Sequence, residues 1–439
     1  MTLEGYLERH AVGSPQKAAV ICCGKTLTYS ELWTGVQRRA RELQAAGVGN
    51  GVPFVFRSSQ DPDFLFTYLA VHLAGGIAVP LEKDIPQQRF LEIEGCVEGE
   101  HFPEDAADVL FTTGTTGQSK GVIISHKTIL ADAENLMLAQ GFSSEHVFII
   151  TGPLNHIGSL SKLYPVLLTG GTVYILEGMK DLDAFYTALD YPCEKMATFL
   201  VPTNIRTLLT FSEERLSTYA HKLDFVETGA APMPHSDMLE LCRVLPNTRL
   251  FNTYASTETG IIATYNYNDG ECIPGCLGAP MKHSAIRIED GRICCLGHTL
   301  MCGYVGDEAL TQQVLRDEVI YTADAGYLDE KGRLHLEGRM DDTINIGGYK
   351  ISPFEVEEVA LSMPEIKDCI CIAATHPVVG CQVLKLLVVM KEGHEFNQRL
   401  IARFLKDQLE KYKLPALYEA TPAIHRTYNG KLDRKFYRC

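Results

Sequence analysis

The sequence predicts an α/β protein with a large N-terminal domain of layered β-sheets and crossover helices, a β-rich subdomain within it, and a small, mobile C-terminal α+β domain. Short β-rich runs alternate with helical stretches from residue 18 to about 340, and after Gly270 the strands become shorter, with glycine-rich turns. A compositional break follows at residues 338–348. The 439 residues allow two or three domains. We therefore expect domains 1–340 and 341–439, with a hinge near Asp341.

Individual elements of the large domain follow from hydrophobic runs and capping residues. The predicted helices run from a Ser30 cap to Leu43, over Pro62–Leu73, and from a Ser125 cap to Met137. The predicted strands are Ala18–Cys23, Val52–Phe56, Asp108–Thr112, Val147–Thr151, Thr172–Leu176, Thr198–Pro202, Leu223–Thr228 and Arg249–Tyr254.

The small domain has its own succession of elements. A helix is expected over Pro353–Leu361, two apolar strands over Cys369–Ala374 and Val383–Met390, and a further helix over Asn397–Lys411. About 100 residues of this kind are enough for an independent unit with its own core.

Charge and composition exclude several classes of protein. The net charge of −15 argues against a nucleic-acid binder or a protein that binds an anionic membrane surface, since both need a basic face. No apolar run reaches the roughly 18 residues of a membrane span, and the charged start predicts a cytoplasmic protein. The 14 cysteines are scattered and lack paired C-x2-C spacing, so reduced, mostly buried thiols are expected rather than disulfides or a zinc site.

The strongest local signal is the glycine- and threonine-rich segment TTGTTGQSKG at residues 112–121, which follows an apolar strand. Such a loop presents backbone N–H groups, hydroxyls and one lysine to a small volume, which suits a polyphosphate. It is not a Walker A loop, because Ser119 stands where the second glycine would be and Gly121 follows Lys120. A polar surface turn is the alternative.

With further segments in the same order, this loop resembles the signature of the adenylate-forming superfamily, which contains acyl-CoA synthetases, peptide-synthetase adenylation domains and luciferases. The resemblance covers nearly the whole chain and is closest to the acyl-CoA synthetases. The matching segments are LTYSEL at 27–32, PLNHIG at 153–158, GAAP at 229–232, YASTE at 254–258, YTAD at 321–324, GRMD at 338–341, GGYK at 347–350 and NGKLDR at 429–434.

The resemblance implies roles for residues that spacing alone does not assign. Lys431 would bridge the incoming carboxylate and the α-phosphate, Thr257 would bond that phosphate, and Glu258 would hold Mg²⁺ together with Thr116. His156 would act at the acyl pocket or its gate. The implied nucleotide- and thiol-binding residues are Thr112, Thr113, Gly114, Thr115, Thr116, Gly117 and Lys120 for the phosphates, Gly229, Ala230, Ala231, Asn252, Tyr254 and Ala255 around adenine and the acyl group, Asp324 and Arg339 for the ribose, and Gly347 and Gly348 for the pantetheine arm.

The implied activity is ATP-dependent conversion of a carboxylic acid to acyl-AMP with release of pyrophosphate, followed by transfer to the thiol of CoA. No aspartate occurs in residues 153–159, where amino-acid-activating relatives usually place one for the ammonium group, which favours an aryl or aliphatic acid. A stand-alone enzyme that loads the phosphopantetheine of an acyl-carrier protein is the first alternative. A non-catalytic nucleotide- or acyl-adenylate-binding protein is the second.

The main departure from the family pattern is length. Only about 25 residues separate residues 79–81 from the phosphate-loop strand, so the N-terminal subdomain is expected to be shortened. Because of this shortening, the sequence does not predict which residues form the outer wall of the acyl pocket. It also does not predict whether the protein is a monomer or a homodimer.

Overall fold

The computed structural model describes residues 2–113, 119–346, 349–378, 380–426 and 432–437. It confirms the predicted fold class: a large part built on two β-sheets with helices, then a small α+β part. The helices are α1 (Leu3–Gly13), α2 (Tyr29–Ala45), α3 (Pro62–Leu73), α4 (Gln87–Val97), α5 (His126–Gln140), α6 (Ile157–Thr169), α7 (Leu182–Leu189), α8 (Pro202–Phe211), α9 (Glu213–Ser217), α10 (His235–Val244), α11 (Glu308–Val314), α12 (Pro353–Leu361) and α13 (Gln398–Lys406).

Up to β11 most strands are separated by helices, and β12 to β16 then follow β11 without an intervening helix. They are β1 (Ala18–Cys22), β2 (Lys25–Thr28), β3 (Pro53–Arg57), β4 (Ile77–Leu81), β5 (Ala106–Thr113), β6 (Ser119–Ser125), β7 (His146–Ile150), β8 (Thr172–Ile175), β9 (Lys195–Phe199), β10 (Leu223–Thr228), β11 (Arg249–Ser256), β12 (Gly260–Asn266), β13 (Cys276–Pro280), β14 (Ser284–Glu289), β15 (Arg292–Gly297), β16 (Gly303–Tyr304), β17 (Leu315–Arg316), β18 (Val319–Leu328), β19 (Leu334–Arg339), β20 (Ile344–Ile346), β21 (Tyr349–Ile351), β22 (Ile366–Thr375), β23 (Gln382–Met390) and β24 (Leu417–Ala420).

The larger sheet has the order β14-β15-β18-β19-β13-β12-β11-β10-β9-β7-β8-β1-β2. Its centre is parallel from β1 through β8, β7, β9 and β10 to β11, and β12 then pairs antiparallel with β11. The second sheet has the order β16-β6-β5-β4-β3. Its β5–β6 and β6–β16 pairings are antiparallel. Because parallel strands end at one edge of a sheet, the segments after β9, β10 and β11 lie side by side.

Helix α2 begins differently from the prediction. Its N-cap is Thr28, whose side chain accepts from the backbone N–H of Glu31 while the Glu31 carboxylate accepts from the Thr28 N–H, so the predicted Ser30 cap was wrong. This reciprocal capping box satisfies two backbone donors that a serine two residues later would leave open. Helix α13 ends at Lys406 instead of Lys411, and strand β9 begins at Lys195, three residues before the predicted start.

Apolar side chains fill both faces of the large sheet. Phe148, Phe225 and Phe251 belong to the cluster packed against α5 and α6, whereas Ile149 and Val226 belong to the cluster on the opposite face. This alternation along β7 and β10 follows the two-residue period of a strand. Among the described residues, no helix is both long and apolar enough to cross a bilayer.

The small C-terminal part has a separate apolar core. Val356 of α12, Leu386 of β23 and Ile401 of α13 are buried in it. A buried ion pair between Arg434 and Glu357, with Arg434 Nη2 2.6 Å from Glu357 Oε2, ties the chain terminus to α12. Arg434 Nε also lies 3.2 Å from Asp342 Oδ2, in the segment where a hinge is predicted.

A buried histidine joins the first helix to the second sheet. His72 Nδ1 lies 3.0 Å from Glu4 Oε1 of α1, and His72 Nε2 lies 2.8 Å from Asp108 Oδ1 of β5. Tyr68 donates a hydrogen bond of 2.9 Å to the other Asp108 oxygen. Burial lowers the pKa of His72, but the carboxylates of Asp108 and Glu4 outweigh it and raise the pKa to about 10. The imidazolium form therefore holds α1, α3 and β5 together.

This arrangement predicts a specific loss of stability at alkaline pH. Because the pKa of His72 is raised by folding, its contribution is complete below about pH 6.5 and is lost as the pH rises towards 10. Between about pH 7 and 9, the free energy of unfolding should therefore fall by about 1.4 kcal/mol for each unit of increase in pH, because folding keeps a proton on His72 that the unfolded chain releases. Urea denaturation at several pH values would measure this slope in the wild type and in His72→Gln.

The exposed His221 provides a matched control. His221→Gln should keep the wild-type dependence of the free energy of unfolding on pH. His72→Gln should lose the contribution of about 1.4 kcal/mol per pH unit that is assigned to His72. Equal slopes in wild type and His72→Gln would contradict a charged His72.

Candidate active site

The phosphate-binding segment predicted from the sequence connects the antiparallel strands β5 and β6. In their register Thr112 lies opposite Lys120. Both residues are half-buried at the end of the hairpin, and the Lys120 ammonium lies 5.6 Å from the centroid of the Tyr304 ring. The predicted ligands Gly114, Thr115, Thr116 and Gly117 lie outside the described residues, as does the predicted metal role of Thr116.

Glu258 lies in the turn between β11 and β12. Its backbone carbonyl accepts from Met301 N–H at 2.8 Å, and its carboxylate Oε1 accepts a 3.0 Å hydrogen bond from the Tyr304 hydroxyl. Thr257 lies in the same turn and is half-buried. Burial and the neighbouring Glu258 carboxylate raise the pKa of Tyr304, so this phenol remains a hydrogen-bond donor.

The turn around Glu258 requires a glycine at its end. Gly260 has φ +66, and a Cβ there would collide with the carbonyl of Thr299 and lie 2.7 Å from Asp132 Oδ1. Asp132 of α5 accepts a 2.8 Å hydrogen bond from the Ile261 N–H, which anchors the start of β12. Burial raises the pKa of Asp132 to about 7. The carboxylate of Glu258 is therefore held on a backbone fixed from both sides.

Tyr304 connects the phosphate-loop strands to the Glu258 turn, and the sequence analysis missed it. It belongs to the two-residue strand β16, which pairs with β6 so that Tyr304 lies opposite Val122. Lys120, Tyr304 and Glu258 are thereby brought together although Lys120 and Tyr304 are 184 positions apart in the chain. No local motif around Tyr304 indicates this contact, because it depends on pairing between distant strands.

The predicted ribose-binding residues also come together. Asp324 of β18 lies opposite Arg339 of β19, with Asp324 Oδ1 3.9 Å from Arg339 Nε. The Tyr254 hydroxyl donates a 2.7 Å hydrogen bond to Asp324 Oδ2. Burial and the Asp324 carboxylate raise the pKa of Tyr254 well above its ordinary range. Strand β11 thus places Tyr254 beside Asp324 and Arg339, and it leads directly into the turn that carries Glu258.

The predicted adenine segment follows β10. A Cβ on Gly229 would lie 3.1 Å from the Thr253 carbonyl, so the backbones approach closely here. Ala230 has φ +68, an unfavourable conformation for a residue with a Cβ, and Ala231 follows it in the turn. On the adjacent β11, the buried Asn252 side chain donates to the Cys276 carbonyl at 3.4 Å. Ala255 lies two residues beyond Thr253 at an irregularity in the β11–β12 register.

His156 is the N-cap residue of α6, and its carbonyl accepts from Leu160 N–H at 2.8 Å. It is half-buried, two residues before Gly158, where a Cβ would lie 3.5 Å from the Phe199 ring. The predicted catalytic Lys431 and the glycines Gly347 and Gly348 lie outside the described residues. The described residues nearest Lys431 in the chain are Arg426 and Leu432, which form an isolated β-bridge.

Arg426 also links this bridge to the rest of the small part. Its guanidinium lies 2.8 Å from Asp368 Oδ1. Arg206 of α8, from the large part, donates to the Lys367 carbonyl at 3.2 Å and lies 3.9 Å from the same Asp368 oxygen. Asp368 therefore contacts an arginine from each part of the protein.

Two sequence families match this chain. The profile of the AMP-binding enzyme family matches residues 7–95 and 91–305, and that of the AMP-binding enzyme C-terminal domain matches residues 355–431. A feruloyl-CoA synthase from Amycolatopsis sp is 29% identical over 97% of this chain and 96% of its own length. A 2-succinylbenzoate–CoA ligase from Bacillus cereus (strain AH820) is 27% identical over 100% of this chain and 98% of its own length.

Solved structures share the fold. ATP-bound MatB from Rhodopseudomonas palustris superposes with a TM-score of 0.89 at 23% identity, over 100% of this chain and 98% of that one. The o-succinylbenzoate CoA synthetase from Bacillus subtilis, in complex with the acyl-adenylate intermediate OSB-AMP, gives 0.84 at 24% identity, over 99% of this chain and 98% of that one.

The Glu258 geometry predicts a magnesium-dependent defect. Glu258→Gln should raise the Mg²⁺ concentration required for ATP binding at least tenfold, because the neutral amide loses the charge that attracts a hard cation. Tyr304→Phe should raise it only a few-fold, because it removes one hydrogen bond that orients the carboxylate. Calorimetric titration of ATP at a series of Mg²⁺ concentrations measures both effects.

Glu330→Gln serves as the control for the change in net charge, since Glu330 is exposed on a turn. It should bind ATP with the wild-type magnesium requirement. A wild-type requirement in Glu258→Gln as well would exclude Glu258 as a metal ligand.

Proposed function

This chain belongs to the AMP-binding enzyme family, and from that premise we propose that it is an AMP-forming acid–thiol ligase of the acyl-CoA synthetase type. The observation that carries the proposal is the grouping of Lys120, Tyr304 and Glu258 at the end of the β5–β6 hairpin. A cation, a phenol and a carboxylate next to a glycine- and threonine-rich connection form an environment suited to a metal-bound triphosphate.

In the first half-reaction, a carboxylate oxygen of the acid attacks the α-phosphorus of ATP. The new O–P bond forms as the bond from the α-phosphorus to the bridging oxygen breaks, which yields acyl-AMP and pyrophosphate. Lys120 and the residues of the 112–117 segment would hold the β- and γ-phosphates. Thr257 would donate to the α-phosphate, and Asp324 would accept hydrogen bonds from the ribose hydroxyls, with Arg339 beside it.

Magnesium fits the residues present. The Glu258 carboxylate supplies a hard oxygen ligand, and the Tyr304 hydroxyl engages its Oε1 and fixes its orientation. Bound Mg²⁺ would neutralise part of the triphosphate charge. Lys431 would then bring its ammonium to the carboxylate and the α-phosphate, where it offsets repulsion between two anions.

In the second half-reaction, the thiol loses its proton to solvent and its sulfur attacks the acyl carbon. The C–S bond forms as the bond from the acyl carbon to the phosphate oxygen breaks, and AMP leaves. We propose CoA as the thiol, with Gly347 and Gly348 beside the pantetheine arm and His156 at the entrance to the acyl site. The small C-terminal domain, from residue 341, would turn about a hinge near Asp341 between the two half-reactions. A carrier protein as acceptor is the second candidate, since the same residues would accommodate its phosphopantetheine.

We propose an aryl or aliphatic acid without an α-amino group as the substrate class. Residues 153–159 contain no aspartate or glutamate that could pair with an ammonium group. Cytoplasmic location and the choice between monomer and homodimer stay predictions.

Pyrophosphate release across a panel of acids tests the activity directly. It should require ATP, Mg²⁺ and an acid. Thioester formation should be measured with free CoA and, separately, with a phosphopantetheinylated carrier protein. Release by an acid followed by thioester formation with CoA supports the proposal, whereas ATP binding without turnover of any acid would favour a non-catalytic binding protein.

The role of Lys431 predicts a separation between binding and chemistry. Lys431→Ala should lower carboxylate-dependent pyrophosphate exchange about a thousandfold or more, because the ammonium that would offset the repulsion between the two anions is removed. The dissociation constant for ATP should change less than threefold. Isotope exchange and calorimetry measure the two quantities.

Lys435→Ala controls for loss of a positive charge in the same segment, because Lys435 is exposed. It should retain exchange. Undiminished exchange in Lys431→Ala would overturn the proposed catalytic role of that lysine.

A further inference from the structure

A lysine and a glutamate form a fully buried ion pair that the proposed chemistry does not use. Lys162 Nζ of α6 lies 2.7 Å from Glu227 Oε1 of β10, with side-chain exposures of 2% and 0%. Moving two charges out of water costs several kcal/mol per ion, and their attraction does not reliably repay it. Neither residue was singled out by the sequence analysis, and a buried ion pair is by itself weak evidence of a role in stability.

The pair adjoins the region where the acyl group is expected. The Lys162 ammonium lies 5.1 Å from the centroid of the Phe199 ring. That ring packs between two glycines, because a Cβ on Gly158 would lie 3.5 Å from Phe199 Cε1 and a Cβ on Gly229 would lie 3.6 Å from Phe199 Cε2. Phe199 thus contacts both the His156–Gly158 segment and the adenine segment, and the ion pair lies directly behind it.

One oxygen of the pair lacks a partner. Glu227 Oε1 accepts from Lys162, but Glu227 Oε2 is buried and has no hydrogen-bond partner among the described residues. A carboxylate oxygen only accepts hydrogen bonds, and a buried acceptor without a donor is unfavourable. Glu227 is two residues before Gly229, so it lies at the end of β10 that leads into the adenine segment.

We propose that the Lys162–Glu227 pair determines substrate specificity by selecting acids whose end distal to the carboxylate carries a hydroxyl group that donates to Glu227 Oε2. The inference rests on the proposed acid activation and names the substrate class within it. The unpartnered Glu227 oxygen would repel a distal carboxylate. It would attract a distal ammonium, but that ammonium would then lie beside the Lys162 ammonium, which repels it. A neutral donor supplies the missing hydrogen bond without either repulsion.

An acid with an apolar distal end would leave the Glu227 oxygen desolvated and unpaired. Sites built to hydrogen-bond a substrate hydroxyl reject the analogue without it strongly. We therefore expect kcat/KM for pyrophosphate release to be about 100-fold higher for the hydroxylated member of a matched pair. Suitable pairs are 4-hydroxybenzoate with benzoate, 3-(4-hydroxyphenyl)propenoate with 3-phenylpropenoate, and 6-hydroxyhexanoate with hexanoate.

The decisive variant is the double substitution Lys162→Met with Glu227→Met, which replaces the pair by apolar side chains of similar length. It should reduce the hydroxyl preference to less than threefold and raise kcat/KM for the unsubstituted acids. The matched control is Lys195→Met with Glu145→Met, since these residues form an exposed lysine–glutamate pair in the same part of the protein. The control should retain the wild-type preference.

Glu227→Gln provides a second test if the double variant does not fold. The glutamine oxygen can still accept from Lys162, which turns its NH₂ donor towards the substrate. The preference for 4-hydroxybenzoate over 4-methoxybenzoate should then fall at least tenfold. An unchanged preference in the folded variants, or no preference in the wild type, would overturn the inference while leaving acid activation intact. Failure of every acid to release pyrophosphate would overturn the proposed function as well.

Discussion

The hydrogen bond from the Tyr304 hydroxyl to the Glu258 carboxylate joins the β5–β6 hairpin to the turn between β11 and β12. It depends on the pairing of β16 with β6. That short pairing brings the hairpin that carries Lys120 next to the turn that carries Glu258, although the two belong to separate sheets. Gly260, Asp132 and the Thr299 carbonyl fix the turn on its other side. The arrangement is therefore preorganised: the chain has ordered these groups during folding, and a nucleotide would not have to do so.

The sequence predicted the bounds of helices and strands well where neighbouring residues alone determine them. Helix Pro62–Leu73, strand Leu223–Thr228 and helix Pro353–Leu361 have the predicted bounds, and each of the two helices begins at a proline. The Ser30 cap was wrong because Thr28, two residues earlier, completes a reciprocal box with Glu31. Tyr304, Lys162 and Glu227 were missed for a different reason. Their significance comes from partners far away in the chain, which no local pattern encodes.

Two observations bear on the expected shortening of the N-terminal part. The two segments matched by the AMP-binding profile meet at residues 91–95, within α4. The alignment to the feruloyl-CoA synthase spans 478 positions, more than the 439 residues of this chain, so it contains gaps on this side. In the structure, α4 and a short segment lead directly from β4 to β5, and β3, β4 and β5 pair in parallel. The sheet that supports Lys120 is therefore continuous from β3 to β6.

The contact of Asp368 with arginines from both parts of the protein has a thermodynamic consequence. Arg426 belongs to the same part as Asp368, whereas Arg206 belongs to the other and is also paired with Asp237, 2.8 Å away. If the small part turns as proposed, Arg206 loses Asp368 but keeps Asp237, so its charge remains compensated. Loss of this one partly hydrated ion pair would cost at most about 1 kcal/mol. The Arg206–Asp368 contact therefore holds the present orientation only weakly, and a bound molecule that favours another orientation has little to overcome at this point.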